Sequence, residues 1–172
     1  VAVLGAGSWG TALAVLLARN GVPTTLWGRS PQAVVDMATA RANTRYLPEM
    51  KFPDALGISG VLATCVRDAA IVLISVPSHA FRDLLDEITP WVAPAAGIAW
   101  ATKGFDPGSG RFLHELVEER LPEHPAAVVT GPLLAQEDAQ GLPTALTGQS
   151  NDDPFPQRLA RLLHAPTCRA YT

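Results

Sequence analysis

The chain has 172 residues, of which 48% are hydrophobic and 17% are charged, a composition typical of a globular protein with a sizeable core. Its formal net charge of −3 at pH 7 gives no general reason to expect binding to nucleic acid or to an anionic membrane. Gly, Pro or charged residues interrupt every apolar stretch well before the roughly 20 residues that a membrane span requires.

The two cysteines, Cys65 and Cys168, lie far apart and form no C-x-x-C motif. This usage is typical of free thiols in a reducing compartment, so we expect a cytoplasmic protein. The sequence begins at Val1, inside a predicted strand and without an initiator Met. We therefore expect these residues to be one part of a longer protein.

The first predicted strand, residues 1–4, runs into three glycines with G-x-G-x-x-G spacing, namely Gly5, Gly7 and Gly10. Apolar residues recur at helical spacing from Thr11 onwards, so a strand, a turn and a helix follow one another. In dinucleotide-binding domains the first glycine permits the turn, the second lets a pyrophosphate approach, and the third lets the helix pack closely on the strand. The helix N-terminus also attracts phosphate. A glycine turn without a ligand is the alternative, and the strand–turn–helix context disfavours it.

Arg29 follows the second predicted strand, residues 23–28. Domains that prefer NAD usually carry Asp or Glu at this point, where the carboxylate binds the ribose 2′-hydroxyl. The sequence has no acid there, and a guanidinium can bind a 2′-phosphate or lie over the adenine ring. We therefore predict NADP in preference to NAD, or the use of both. An exposed loop arginine without a ligand is the alternative.

The clearest predicted strand, residues 71–76, is a continuous apolar run that is typical of a parallel strand buried on both faces. Val76 and Pro77 end this run, and we expect them at the carboxyl edge of the sheet, where ligands bind in open α/β folds. His79 follows at the start of a predicted helix, where a partly exposed side chain is a better expectation than a cofactor contact.

Lys103 directly follows the next predicted strand, residues 97–102. This position places an ammonium group at the same edge of the sheet, where it can bind a phosphate, a carbonyl or a hydroxyl. From spacing alone, a surface lysine whose stem covers apolar side chains is an equal alternative. His114 and His124 show no ligand spacing, and we expect both on the surface.

The alternation of strands and helices predicts an α/β fold, a Rossmann-like doubly wound, mostly parallel sheet with helices on both faces. The later short strands are candidates for antiparallel pairing at one edge, and residues 43–48 break the regular pattern. The predicted strands are residues 1–4, 23–28, 71–76, 97–102, 126–130, 143–147 and 167–171, and the predicted helices are residues 11–19, 31–41, 79–88, 111–121 and 155–164.

Several separated stretches, taken together, resemble the bacterial NAD(P)-dependent glycerol-3-phosphate dehydrogenase family. They follow the family's order and cover essentially the whole chain. The stretches are residues 5–14, 26–29, 43–48 (N-x-x-Y-L-P), 76–79 (V-P-S-H), 101–104 (A-T-K-G), 131–132, 135–137 and 141–145 (G-L-P-T-A).

The resemblance implies that residues 1–172 are the NAD(P)-binding domain and that a helical second domain, absent from this sequence, supplies the proton-accepting lysine. It implies hydride transfer between NADP or NAD and glycerol 3-phosphate or dihydroxyacetone phosphate, in the synthesis of glycerophospholipid precursors. The sequence alone would then be inactive. Small molecules would be the partners, without nucleic acid, membrane or metal, and any homo-oligomer would form through the missing domain.

The predicted functional residues combine the motif positions with those that the resemblance implies. Lys103 would contact both cofactor and substrate and would orient the substrate for reaction. The predicted cofactor contacts are Gly5, Gly7, Ser8, Trp9, Gly10, Arg29, Val76, Pro77, Lys103 and Ala135, and the predicted substrate contacts are Lys103, Gly131 and Leu133.

Two departures from the family pattern lie in the last third of the chain. Leu133 stands where the family usually has Ser, and residues 137–139 read E-D-A in place of E-V-A. These changes affect the expected substrate affinity and leave the expected fold unchanged. Another two-domain dehydrogenase, for a hydroxy acid or ketopantoate, and a non-catalytic NADPH-binding relative are the alternative interpretations.

Overall fold

The computed structural model describes residues 1–130, 144–149, 154–164 and 168–171. None of the helices in these ranges is long and apolar enough to cross a membrane. The strands are β1 (Ala2–Leu4), β2 (Thr24–Trp27), β3 (Ala42–Asn43), β4 (Leu47–Lys51), β5 (Leu56–Ser59), β6 (Ile71–Ile74), β7 (Gly97–Trp100), β8 (Ala126–Thr130), β9 (Thr144–Gln149) and β10 (Cys168–Tyr171). The helices are α1 (Ser8–Arg19), α2 (Pro31–Ala40), α3 (Leu62–Arg67), α4 (Ser78–Ile88), α5 (Leu113–Arg120) and α6 (Phe155–Leu163).

The main sheet has eight strands in the order β10-β9-β8-β7-β6-β1-β2-β5. The six strands from β8 to β5 pair in parallel, β9 pairs antiparallel with β8, and β10 pairs in parallel with β9. The α/β prediction and the antiparallel edge are therefore confirmed. After β1 the chain adds β2 and β5 on one side of β1, and it then adds β6 to β10 on the other side. Ligands in open α/β sheets bind where the strand order reverses in this way, here between β1 and β6.

Both faces of the sheet are covered by helices, as the continuous apolar run of β6 predicts. Ile71 and Leu73 pack in one buried cluster with α1 and α6, whereas Val72 and Ile74 pack in a second cluster with α3, α4 and α5. Helix α1 is enclosed on all sides, because its residues from Gly10 to Ala18 are buried without interruption. The helix that begins at the glycine turn is thus fixed by the hydrophobic core.

The structure corrects the sequence analysis at five places between the end of β2 and the end of β7. Strand β5 and helix α3 were missed, because β5 contains Gly57 and α3 has only six residues, too few to show a helical period. Residues 43–48 are not simply irregular, since β3 and β4 pair as a small antiparallel sheet. The predicted strands at residues 71–76 and 97–102 end two residues early, at Ile74 and Trp100.

Candidate functional site

The glycine turn between β1 and α1 is packed so closely against Ser75, just after β6, and against its own backbone that two of its three glycines admit no side chain. Gly5 has a φ of +119°, and a Cβ atom there would collide with the carbonyl oxygen of Ser75. A Cβ atom on Gly10 would collide with the carbonyl oxygen of Gly5. These two glycines are therefore required by the fold itself, one for the turn and one for the approach of the helix.

Gly7 differs from the other two glycines because open space surrounds it. A Cβ atom at this position would meet no atom within 4 Å, and the φ of −76° is one that any residue adopts. Gly7 is also the N-cap of α1, and without a side chain it cannot cap the first N–H groups of the helix. The missing side chain thus leaves both space and hydrogen-bond donors for a ligand, and the positive end of the helix dipole favours an anion.

A cleft of about 420 Å³ opens above this turn, at the carboxyl edge of β6 and β7. Its volume lies in the range of small-molecule sites. Seven of the ten residues that the sequence analysis assigned to the cofactor lie in its wall. The lining residues are Gly7, Ser8, Trp9, Gly10, Ser75, Val76, Pro77, Ala101, Thr102 and Lys103.

The remaining predicted residues lie elsewhere or outside the described part of the chain. Gly5 is buried beneath the cleft, and Arg29 is exposed beyond the end of β2. Gly131, Leu133 and Ala135 fall outside the described residues, so their predicted contacts stay predictions.

The three histidines that the sequence analysis expected on the surface differ in exposure. His79 and His114 are exposed as expected, whereas His124 is half-buried, with its ring nitrogen Nδ1 2.9 Å from the carbonyl oxygen of Ala96.

Thr102 joins the two strand ends that form the rear of the cleft. Its hydroxyl is buried and donates a hydrogen bond of 2.8 Å to the carbonyl oxygen of Val76, while the amide of Ala101 donates to Ile74. Sequence reasoning missed this contact, although Thr102 lies in the A-T-K-G stretch that carries the family resemblance. The bond sets the spacing of the β6 and β7 ends immediately before Lys103.

Lys103 is the one ammonium group in the lining of the cleft, and its side chain is exposed. No hydrogen-bond or ion-pair partner for it lies within the described ranges. The next residue, Gly104, has a φ of +97°, a left-handed conformation that glycine adopts without strain. The loop therefore turns away directly after Lys103 and leaves its charge available to an anionic or electronegative group.

Asn43 is hydrogen-bonded to the glycine turn and to α1, and the sequence analysis assigned it no role. Its buried amide donates hydrogen bonds of 3.0 Å to the carbonyl oxygen of Ala6 and 2.8 Å to the hydroxyl of Thr11. Ala6 lies inside the turn, and Thr11 lies in the first turns of α1. The small β3–β4 sheet thus stabilises the conformation of the turn through the first residue of the N-x-x-Y-L-P stretch.

The comparisons with known proteins agree with this geometry. The model of a family described as "NAD-dependent glycerol-3-phosphate dehydrogenase N-terminus" matches residues 1–155. Glycerol-3-phosphate dehydrogenases NAD(P)+ from Xanthomonas euvesicatoria and from Stenotrophomonas maltophilia strain K279a are each 53% identical to the chain over its whole length. These matches cover 51% of each relative, so the chain spans about half the length of the curated relatives it matches.

Among solved structures, glycerol-3-phosphate dehydrogenase from Coxiella burnetii superimposes with a TM-score of 0.94 at 42% sequence identity. The match covers 99% of this chain and 52% of that chain. The similarity thus extends over the strands, the glycine turn and the cleft.

The contrast between the three glycines predicts the behaviour of Gly7→Ala. Because a Cβ atom at Gly7 meets open space, we expect the free energy of unfolding to change by less than about 1 kcal/mol, the size of an N-cap effect. We expect NADPH affinity to fall at least about tenfold, because the added methyl group occupies the space left for the pyrophosphate. Urea unfolding and NADPH fluorescence titration measure the two effects. Unchanged affinity would contradict the proposed role of the open space.

The buried amide of Asn43 gives a prediction about stability. We expect Asn43→Ala to lower the free energy of unfolding by about 1–3 kcal/mol, because the Ala6 carbonyl and the Thr11 hydroxyl lose a buried partner. Urea unfolding followed by circular dichroism measures the change. Thr39→Ala, which removes an exposed side-chain hydrogen bond to the backbone of α2, is the control and should change little. Equal effects of the two substitutions would show that Asn43 does not stabilise the turn.

Proposed function

Because the chain belongs to the NAD-dependent glycerol-3-phosphate dehydrogenase family, we propose that it is the cofactor-binding half of such an enzyme. The reaction is hydride transfer between NADPH or NADH and dihydroxyacetone phosphate, giving sn-glycerol 3-phosphate, and its reverse. The observation that carries this proposal is the cleft at the reversal of strand order, where Gly7, the start of α1 and Lys103 meet.

The residues present fit a dinucleotide along the carboxyl edge of the sheet. The open space at Gly7 and the uncapped start of α1 suit the pyrophosphate. Arg29, exposed beyond β2, suits a 2′-phosphate, and Val76 and Pro77 beyond β6 suit the nicotinamide end. When bound, the cofactor supplies the hydride, and the chain's own residues bind and orient the reactants.

Lys103 is proposed to act on the substrate through its charge. The ammonium group attracts the phosphate of the substrate and stabilises negative charge on the C2 oxygen as the carbonyl is reduced. In the reverse direction the same charge favours loss of the C2 hydroxyl proton. Preorganised donors of this kind act most strongly where the charge develops, and Lys103 has no competing partner in the described part of the chain.

The proton acceptor is proposed to come from a helical second domain, which the family resemblance implies. Lys51, the second of the two lysines in the chain, is exposed in β4 and donates to the carbonyl oxygen of Ala40 at 3.3 Å. It is not among the residues that line the cleft. Residues 1–172 are then one domain, with Gly131 and Leu133 at the substrate and Ala135 at the cofactor.

The proposal extends to the partners, the metabolic role and the cellular compartment of the protein. The small molecules of this reaction are the expected partners, and glycerophospholipid precursor synthesis in the cytoplasm is the expected role. The buried free thiol of Cys65 is compatible with a reducing compartment. Any homo-oligomer is expected to form through the second domain.

Titration of the chain with NADPH and NADH tests the cofactor assignment. The same titration of the Arg29→Asp variant tests whether Arg29 binds the 2′-phosphate. We expect this variant to lose at least about tenfold in NADPH affinity, because a carboxylate replaces the cation at the 2′-phosphate, while NADH affinity is kept or increased. Arg67→Asp is the control, because Arg67 is also exposed but precedes β6 at the opposite edge of the sheet, where its guanidinium lies 5.0 Å from the centre of the Trp91 ring. Equal losses for both cofactors would rule out Arg29 as the 2′-phosphate contact, and absence of binding by the unmodified chain would rule out the cofactor assignment.

Turnover is best measured with the chain joined to the second half of the Xanthomonas euvesicatoria relative. We expect Lys103→Ala to lower kcat at least about 100-fold, the scale for loss of one preorganised donor. Lys51→Ala is the matched control and should leave kcat unchanged. Near-normal turnover of the Lys103→Ala enzyme would remove Lys103 from the mechanism.

A further inference from the structure

The loop after β7 has one buried residue among exposed neighbours. Asp106 is 3% exposed, whereas residues 103–105 and 107–110 are all exposed. The backbone folds around this residue, because the amide of Asp106 donates to Arg111 at 3.0 Å and the amide of Gly110 donates to Asp106 at 2.8 Å. Asp106 therefore anchors a loop that otherwise lies in solvent.

The Asp106 carboxylate is held by two neighbours. Arg82 approaches it through Nη2 at 2.5 Å and Nε at 3.4 Å, and Ser109 donates to it from its amide at 2.9 Å and from its hydroxyl at 2.5 Å. The guanidinium of Arg82, followed by the Ser109 hydroxyl, lowers the pKa of Asp106 far below its usual range. The pair is thus charged at every pH at which a metabolic enzyme works.

Arg82 belongs to α4, the helix that follows Val76 and Pro77 in the wall of the cleft. Its ion pair connects this wall to the loop that carries Lys103. On the other side of Lys103, the Thr102 hydroxyl is bonded to the carbonyl oxygen of Val76. Lys103 and Gly104 therefore lie within a short span that is attached at Thr102 and at Asp106 to the same segment of the fold.

We propose that Arg82 is a positioning residue that keeps Lys103 at the cleft by binding Asp106. Arg82 is not among the residues that line the cleft, so it acts on ligand binding only through the loop. The expected effect of Arg82 on cofactor and substrate binding rests on the proposed function. The expected effect of Arg82 on the conformation of the loop does not. Gly104, with its left-handed backbone, is the residue through which the span would move when the anchor at Asp106 is lost.

A second ion pair of α4 provides a matched control. Arg120 binds Asp86 at 2.6 Å, which joins α4 to α5, and it also binds Glu119 at 2.6 Å; neither partner lies in residues 103–110. The Asp86 side chain is 48% exposed, compared with 5% for Asp106. Arg82→Gln and Arg120→Gln each remove one ion pair from α4, but only the first releases the anchor of the loop.

Proteolysis with a lysine-specific endoprotease tests the loop without any ligand, since the chain contains only Lys51 and Lys103 as lysines. We expect Arg82→Gln to raise the rate of cleavage after Lys103 about tenfold, because cleavage follows the population of the open loop. Cleavage after Lys51 should keep its rate, and Arg120→Gln should change neither. An unchanged rate at Lys103, or equal acceleration at both sites, would overturn the inference.

A double-mutant cycle on NADPH affinity tests whether Arg82 acts through Lys103. We expect Arg82→Gln and Lys103→Ala each to weaken binding about tenfold, and the double variant to bind no more weakly than Lys103→Ala alone. Arg82→Lys, which keeps a cation beside Asp106, should recover part of the affinity. If the two substitutions lower NADPH affinity independently and additively, Arg82 does not act through Lys103 and the inference is overturned. If the unmodified chain binds no nucleotide, the proposed function fails, and the proteolysis result still decides whether Arg82 holds the loop.

Discussion

The close approach of three backbone segments is the constraint on which the rest of the molecule depends. The glycine turn, the start of α1 and the end of β6 pack so tightly that the carbonyl oxygens of Ser75 and Gly5 occupy the places where two side chains would begin. This packing brings the N-terminus of a buried helix to the sheet edge where the strand order reverses. Asn43 then stabilises the turn through its bond to Ala6, and Thr102 stabilises the segment after β6 through its bond to Val76.

The charge at this edge is opposite in sign to that of the whole chain. The formal net charge is −3, yet the described residues that line the cleft include Lys103 and no carboxylate. The dipole of α1 adds to the positive potential, and Arg29 lies beyond the neighbouring strand. An acidic protein therefore presents a local site that suits phosphate groups, because the potential of a cleft depends on the groups around it and not on the net charge.

Much of this arrangement could be predicted from the sequence, and the family and the α/β fold are confirmed. The G-x-G-x-x-G spacing and the apolar run of β6 are local patterns, so they identified the turn, the sheet and most of the cleft lining. Asn43 and the Arg82–Asp106 pair were missed because their partners lie 37 and 24 residues away, and no local pattern encodes such contacts. Strand β5 was missed because it contains Gly57, which disfavours a strand locally, and its pairing with β2 is not encoded in its own residues.

The enclosure of α1 has a consequence for how such a domain can change over evolutionary time. Nine consecutive residues of this helix, Gly10 to Ala18, are buried, so each is constrained by the volume of the core as well as by the position of the helix end. Arg29 stands in solvent and is free of that constraint. On the role proposed for Arg29, a single exposed substitution is enough to change the preference between NADP and NAD, whereas the start of α1 proposed to bind the pyrophosphate cannot change without repacking the core.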